Sequence, residues 1–234
     1  EGFANFHEFQ IVGVVLMPTV GQLQTVPGAL DNVDSGYRSN FDKADEIATP
    51  SYYSVELKDY DVKAELTSTE RVAFHRYTFP KPEQSNIIGD SGKQQGKSGP
   101  VKDAQVTYTA DGRIEGFVTT FPAYIQKYQK GADLTMYFSA VADVQPDAWG
   151  TFIKEDIKAG SRSEEGIGAG LYLTYNTEEG SSVNIKVGLS YTSVENARLN
   201  RESEAKTTTF DDAHEKAVSM WNDYLGRIKV EGGT

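Results

Sequence analysis

The sequence has no cysteine, which excludes a disulfide framework and any thiolate metal site; it suits a reducing compartment, and equally many bacterial secreted proteins. It is short of positive charge, with 23 basic residues against 34 acidic ones. The resulting net charge of -11 repels phosphate backbones and anionic headgroups, so nucleic acid is not an expected partner. Long hydrophobic runs are also lacking. The longest, Ile11 to Met17, falls far below the ~20 residues that cross a bilayer, and no membrane span is expected. No charged n-region with an apolar h-region opens the chain, and it does not begin with Met.

Catalytic patterns are missing too. The three histidines, His7, His75 and His214, fall in three different segments with no His-Glu-x-x-His run, and no Asp-x-Asp-x-Asp-Gly loop occurs. Gly92-Lys93-Gln94-Gln95-Gly96-Lys97-Ser98 looks like a phosphate loop, but it is one residue short. Gly99-Pro100 also stands where the phosphate-holding helix should start. Gly89-Asp90-Ser91-Gly92 looks like a serine-protease nucleophile loop, yet it comes early in the chain with only His7 and His75 before it. Both are read as parts of one polar, surface-exposed loop from Gly89 to Pro100. Asp42, Asp45, Glu46, Glu178 and Glu179 read as solvated turn carboxylates. No catalytic or metal-ligating residue is assigned.

What is present is alternation. Tyr53, Val55 and Leu57 alternate with Ser54, Glu56 and Lys58, and Val62, Ala64 and Leu66 with Lys63, Glu65 and Thr67, giving two half-buried strands around a short turn at Asp59-Tyr60-Asp61. A third strand, Val72 to Phe79, stops at Pro80-Lys81-Pro82, and His75 within it reads as a hydrogen-bonded structural histidine. Val106 to Thr109 and Arg113 to Phe117 flank Ala110-Asp111-Gly112, a tight hairpin signal. Leu134 to Val141, Leu171 to Tyr175 and Val183 to Tyr191 follow. This spacing of strands and turns predicts an antiparallel sandwich.

Two helices interrupt the pattern. Ser193 caps a short one through Leu199, and Thr209 with Asp212 forms a capping-box start for a longer one ending near Gly226. The second carries a broad stripe of Phe210, Ala213, Ala217, Met220, Trp221, Tyr224 and Ile228. Such a stripe either lies wholly on the sheet or also docks onto a second domain or a second copy. At the other end His7 and Glu8 sit among Phe3, Phe6 and Phe9. That cluster suits a sugar, with aromatic wall and hydrogen-bonding groups together, or simply an aromatic core.

Several segments carry a family resemblance. Ile11 to Thr19, Pro50 to Val55, Lys63 to Arg71, His75-Arg76-Tyr77-Thr78-Phe79-Pro80 and Gly188 to Ala197 resemble, in order, the amino-terminal domain of family-92 glycoside hydrolases, bacterial α-mannosidases. Small departures are Ser51, where glycine is common, and Arg201, where an apolar residue is common. The resemblance implies an all-β, galactose-mutarotase-like antiparallel β supersandwich over residues 1–207 and a C-terminal linker helix over 208–234. It implies a calcium-dependent, inverting, exo-acting α-mannosidase whose (α/α)6 barrel holds the catalytic carboxylates and calcium ligands outside this chain. In that frame a Trp-, Gly- and Tyr-rich segment before Gly2-Phe3 is missing, and the chain alone is inactive. Its partners are α-mannose-containing glycans and the barrel of the same protein, and its location is extracytoplasmic. His7 and Glu8 are the candidate substrate-binding residues. A free-standing carbohydrate-binding sandwich is the alternative function, and a hydrolase acting through Ser91 a third reading.

Overall fold

The computed structural model describes residues 2–4, 13–29, 31–32, 35–92 and 98–233. Two antiparallel sheets dominate it. One consists of β1 (Val15–Val20), β6 (Glu83–Asp90), β13 (Ala169–Thr177), β10 (Ala148–Ile153) and β11 (Asp156–Ala159), hydrogen-bonded in that order. The other has nine strands. Its order is β12 (Ser163–Glu165), β7 (Val101–Tyr108), β8 (Arg113–Thr120), β9 (Leu134–Ala142), β14 (Ser182–Ser190), β5 (Val72–Thr78), β4 (Val62–Ser68), β3 (Tyr52–Leu57) and β2 (Ile47–Thr49). The sheets bury a common core between them, with Val62, Tyr77, Phe79, Met136, Phe138 and Ile185 from the large sheet meeting Leu16, Ile87, Leu171 and Leu173 from the small one.

Strand alternation sorts the large sheet into two faces. On β5, Ala73 and Tyr77 point into the core, while Val72 and Phe74 point outward under the helices. The outer face carries α1 (Val194–Ala205) across β14 and β9, and α2 (Phe210–Leu225) across β4 and β5. Phe210, Ala213 and Ala205 close over Val72 and Phe74 as a second, smaller core. Burying a side chain such as Phe210 contributes about 1.5–3 kcal/mol. Helix starts follow sequence chemistry: Ser193 Oγ accepts from the Asn196 amide, and Thr209 and Asp212 cap each other reciprocally. Close helix-to-sheet approach is local, for α1 runs over Gly188, where a Cβ would come within 2.3 Å of the Ala197 carbonyl oxygen.

The expected sandwich, the hairpin turning at Gly112 (φ +82°) and both helices are present. Two expectations are corrected. The helix expected to end at Leu199 continues to Ala205, because Ala197, Arg201 and Ala205 recur on the face against the sheet. The segment expected as a surface loop from Gly89 to Pro100 is not one at its described ends. Gly89 and Asp90 finish β6, Ser91, Ser98 and Gly99 are buried, and residues 93–97 lie outside the described residues. Gly92 passes so close to Gly168 that a Cβ would meet its Cα at 2.1 Å.

Candidate functional site

His7 and Glu8 lie outside the described residues, but both ends of the segment that carries them are placed. Phe3 exchanges backbone hydrogen bonds with Leu16, its N–H donating at 2.7 Å and its carbonyl accepting at 3.1 Å. The Phe3 ring stands 6.4 Å from Tyr53 and 6.0 Å from Tyr77. Beside it a cavity of about 250 Å³ is lined by Phe3, Ala4, Met17, Phe41, Tyr53 and Leu57. The Tyr53 hydroxyl donates to Glu46 Oε1 at 2.7 Å; burial, then that bond, raises its pKa. Glu46, read as a solvated turn carboxylate, is therefore engaged. At the far end of the segment, Gly13 abuts Met136 and Leu189.

Charged groups on the outer face fasten the helices instead of gathering for chemistry. Glu65 and Arg76 are opposed in register on β4 and β5, and Arg76 donates to both Glu65 oxygens at 2.9 and 3.0 Å. The same guanidinium donates to Asp211 on α2 at 2.9 Å and lies 4.2 Å above the Phe210 ring. Tyr52 also donates to Glu65, at 2.6 Å. Burial alone would raise the Glu65 pKa; hydrogen bonds from Arg76 and Tyr52, with the Arg76 charge, outweigh it and hold the carboxyl at about 2. Farther along, Glu115 takes a bidentate pair from Arg198 on α1, both at 2.8 Å, and a hydroxyl from Ser139 at 2.9 Å. Sequence reading did not anticipate these two networks. The only signal was that Glu65, Arg76 and Glu115 occupy outward positions of their strands.

The other residues singled out from sequence are structural. Ser91 Oγ is buried and donates to the Ala169 carbonyl at 2.8 Å, while Asp90 accepts from Tyr37 at 2.8 Å. His75 is fully buried on the other sheet, with Nδ1 2.9 Å from the Tyr77 hydroxyl, and burial lowers its pKa to about 3. That is the hydrogen-bonded structural histidine expected. His214 stacks on Tyr52, ring centroids 4.8 Å apart. Among the described residues no three His, Asp or Glu side chains gather as a metal ion would require, so no step is assigned to a metal here. No described helix is long and apolar enough to cross a membrane.

The stripe on α2 divides along its length. Phe210, Ala213 and Ala217 are buried against the sheet, whereas Trp221, Tyr224 and Leu225 are 39%, 56% and 60% exposed. The helix thus lies on the sandwich by its first half and presents an aromatic end to the outside.

A family model described as the Glycosyl hydrolase family 92 N-terminal domain matches residues 1–190. The family GH92 alpha-mannosidase BT3965 from Bacteroides thetaiotaomicron is similar at TM-score 0.85 and 24% identity, over 95% of this chain and 30% of that one; it has also been solved in complex with mannoimidazole. The gh92 family glycosyl hydrolase ccman5 is similar at TM-score 0.77 and 26% identity, over 95% and 29%. The Family GH92 Inverting Mannosidase BT2199 from Bacteroides thetaiotaomicron VPI-5482 gives 0.75 and 22%, over 94% and 27%. The chain thus spans less than a third of the length of these structures. No match is found among curated proteins.

Proposed function

The chain belongs to the glycosyl hydrolase family 92 N-terminal domain family, and from that membership we propose that it is the β-sandwich part of an inverting, exo-acting, calcium-dependent α-mannosidase. In this reading the sandwich walls the glycan pocket and braces an (α/α)6 barrel, which supplies both proton-transfer carboxylates and the calcium ligands. Residues 208–234 form the linker toward it. The observation that carries the proposal is the family match over residues 1–190. One similar structure is that of an inverting mannosidase, which supports the stereochemistry. His7 and Glu8, which fall between Phe3 and Gly13 in the sequence, are the proposed substrate contacts. The protein is proposed to act outside the cytoplasm.

The test compares the 234-residue chain with the full-length protein on an aryl α-mannoside. The chain should turn over at background, and the full-length protein should release β-mannose, seen by NMR, until a chelator stops it. In the full-length protein His7→Ala or Glu8→Ala should lower kcat/KM about tenfold with the melting temperature nearly unchanged, since a contact is lost without a core cavity. Turnover by the chain alone would place the catalytic groups here. Loss of stability with intact kinetics would make His7 and Glu8 structural.

A further inference from the structure

The outer face of the large sheet gathers cationic side chains where α1 crosses it. Arg113 on β8, Val141 on β9 and Lys186 on β14 lie side by side in register and share that face. Gly188, two residues farther along β14, carries Arg201 of α1 directly above it, for a Cβ there would come within 2.6 Å of the Arg201 Cβ. Arg198, one turn earlier on the helix, reaches down to Glu115 on β8.

The carboxylates of this patch are already committed. Glu115 accepts from Arg113 Nε at 3.0 Å, from Arg198 twice at 2.8 Å and from Ser139 at 2.9 Å, which fills its acceptor sites. Asp111 accepts from Thr109 at 2.7 Å and from Arg113, and Asp143 from the Asn184 N–H and Nδ2 at 2.8 and 2.7 Å. Arg201 is left over. It is 8% exposed, and its Nε is buried with no hydrogen-bond partner among the described residues. Its ion-pair contact to Glu202 is 3.7 Å, too long for a hydrogen bond, and that carboxylate is largely in water. Burial lowers the Arg201 pKa, and the charges of Arg113 and Arg198 add to this against the pull of Glu202 and Glu115.

A buried guanidinium is costly unless an anion or acceptor meets it. Donors are also left on its neighbours: Arg198 uses Nε and Nη2 on Glu115 and keeps Nη1, and Lys186 donates to the Ala205 carbonyl at 2.9 Å with protons over. Free guanidinium edges suit the oxygens of a phosphate, sulfate or carboxylate group. We propose that Arg201, with Arg198 and Lys186, forms a binding site for one small oxyanion at the junction of α1 with β9 and β14. It rests on these contacts alone and is independent of the mannosidase reading. The net charge of -11 opposes an anion, but exposed charges act over roughly 8 Å at physiological ionic strength, so the binding is weakened and not abolished.

The 234-residue chain is titrated with inorganic phosphate, acetate and chloride at constant ionic strength, followed by amide NMR shifts and melting temperature. We expect phosphate to bind at millimolar concentration, with shifts centred on residues 139–141, 186–188 and 198–202, and to raise the melting temperature by binding only the folded chain. Arg201→Met, which keeps the stem and removes the guanidinium, should weaken binding about tenfold. Lys130→Met, in the connection at the other end of β8 and β9, should bind as wild type does. Acetate binding in place of phosphate keeps the site and makes the ligand a carboxylate. Equal shifts with chloride, no binding by a folded chain, or equal binding by Arg201→Met overturns the proposal. If Arg201→Met does not fold, Arg201→Lys, which keeps the charge without the Nε donor, takes its place in the same comparison.

Discussion

At the scale of single residues, His75 shows what burial does to a titratable group on a half-polar strand. Its neighbours Phe74 and Arg76 point to the helix side, and period two sends the imidazole into the core, where only the neutral form is tolerated. Its pKa is about 3 in the folded chain against 6.5 when unfolded. Between those values the unfolded chain holds a proton that the native chain does not. Stability from this group is therefore complete above pH 6.5 and falls as pH drops toward 3, by at most about 1.4 kcal/mol per pH unit. Urea midpoints at pH 7 and pH 5, above the carboxylate range, should show this decline. His75→Leu/Tyr77→Phe, which removes both ends of the His75–Tyr77 hydrogen bond, should flatten it, with the half-buried His214→Gln on α2 as the control. An unchanged slope in the double variant would mean that His75 is charged in the native state.

At the scale of elements, the chain was legible where local chemistry alone decides. Thr209-Phe210-Asp211-Asp212 announces a helix start, and the reciprocal bonds are there: Thr209 N–H to Asp212 at 3.0 Å and Asp212 N–H to Thr209 Oγ1 at 3.1 Å. This start sets Phe210 under Arg76, so the cap and the packing should be separable. Thr209→Ser should cost little, Thr209→Ala about 0.5–2 kcal/mol, and Phe210→Ala about 3–5 kcal/mol, read from urea midpoints. Equal losses for Thr209→Ser and Thr209→Ala would show that the cap carries no stability. Other elements were illegible for physical reasons. Strand β6 is paired on both sides, by β1 and β13, and buried from Ser85 through Asp90, so it has no period two, and its polar residues are paired inside, Ser85 with Thr177 at 2.8 Å and Asn86 with the Gly21 carbonyl at 3.1 Å. Strands β11 and β12 are short, charged and largely exposed, and look like loops in sequence.

At the scale of the whole molecule, the divided stripe on α2 gives the chain an aromatic end that its own sandwich does not cover. Burial ends at Ala217, and one turn later Trp221, Tyr224 and Leu225 stand out with Pro50 and Tyr52 lining a groove beside them. In the mannosidase reading this end meets the barrel. In the isolated chain it meets water, and clustered exposed aromatics favour association or local opening. We therefore expect the 234-residue chain to self-associate in sedimentation velocity at tens of micromolar, and Trp221→Lys to sediment as a monomer that still unfolds cooperatively, because Trp221 lies one turn beyond Ala217, the last buried residue of the stripe. Hydrogen exchange should split the helix, with the amides around Ala213 protected nearly as well as the central strands and those after Met220 exchanging much faster. A monomer whose helix is uniformly protected to Leu225 would mean that the sandwich alone holds the whole stripe, and the case for a partner at this end would fall with it.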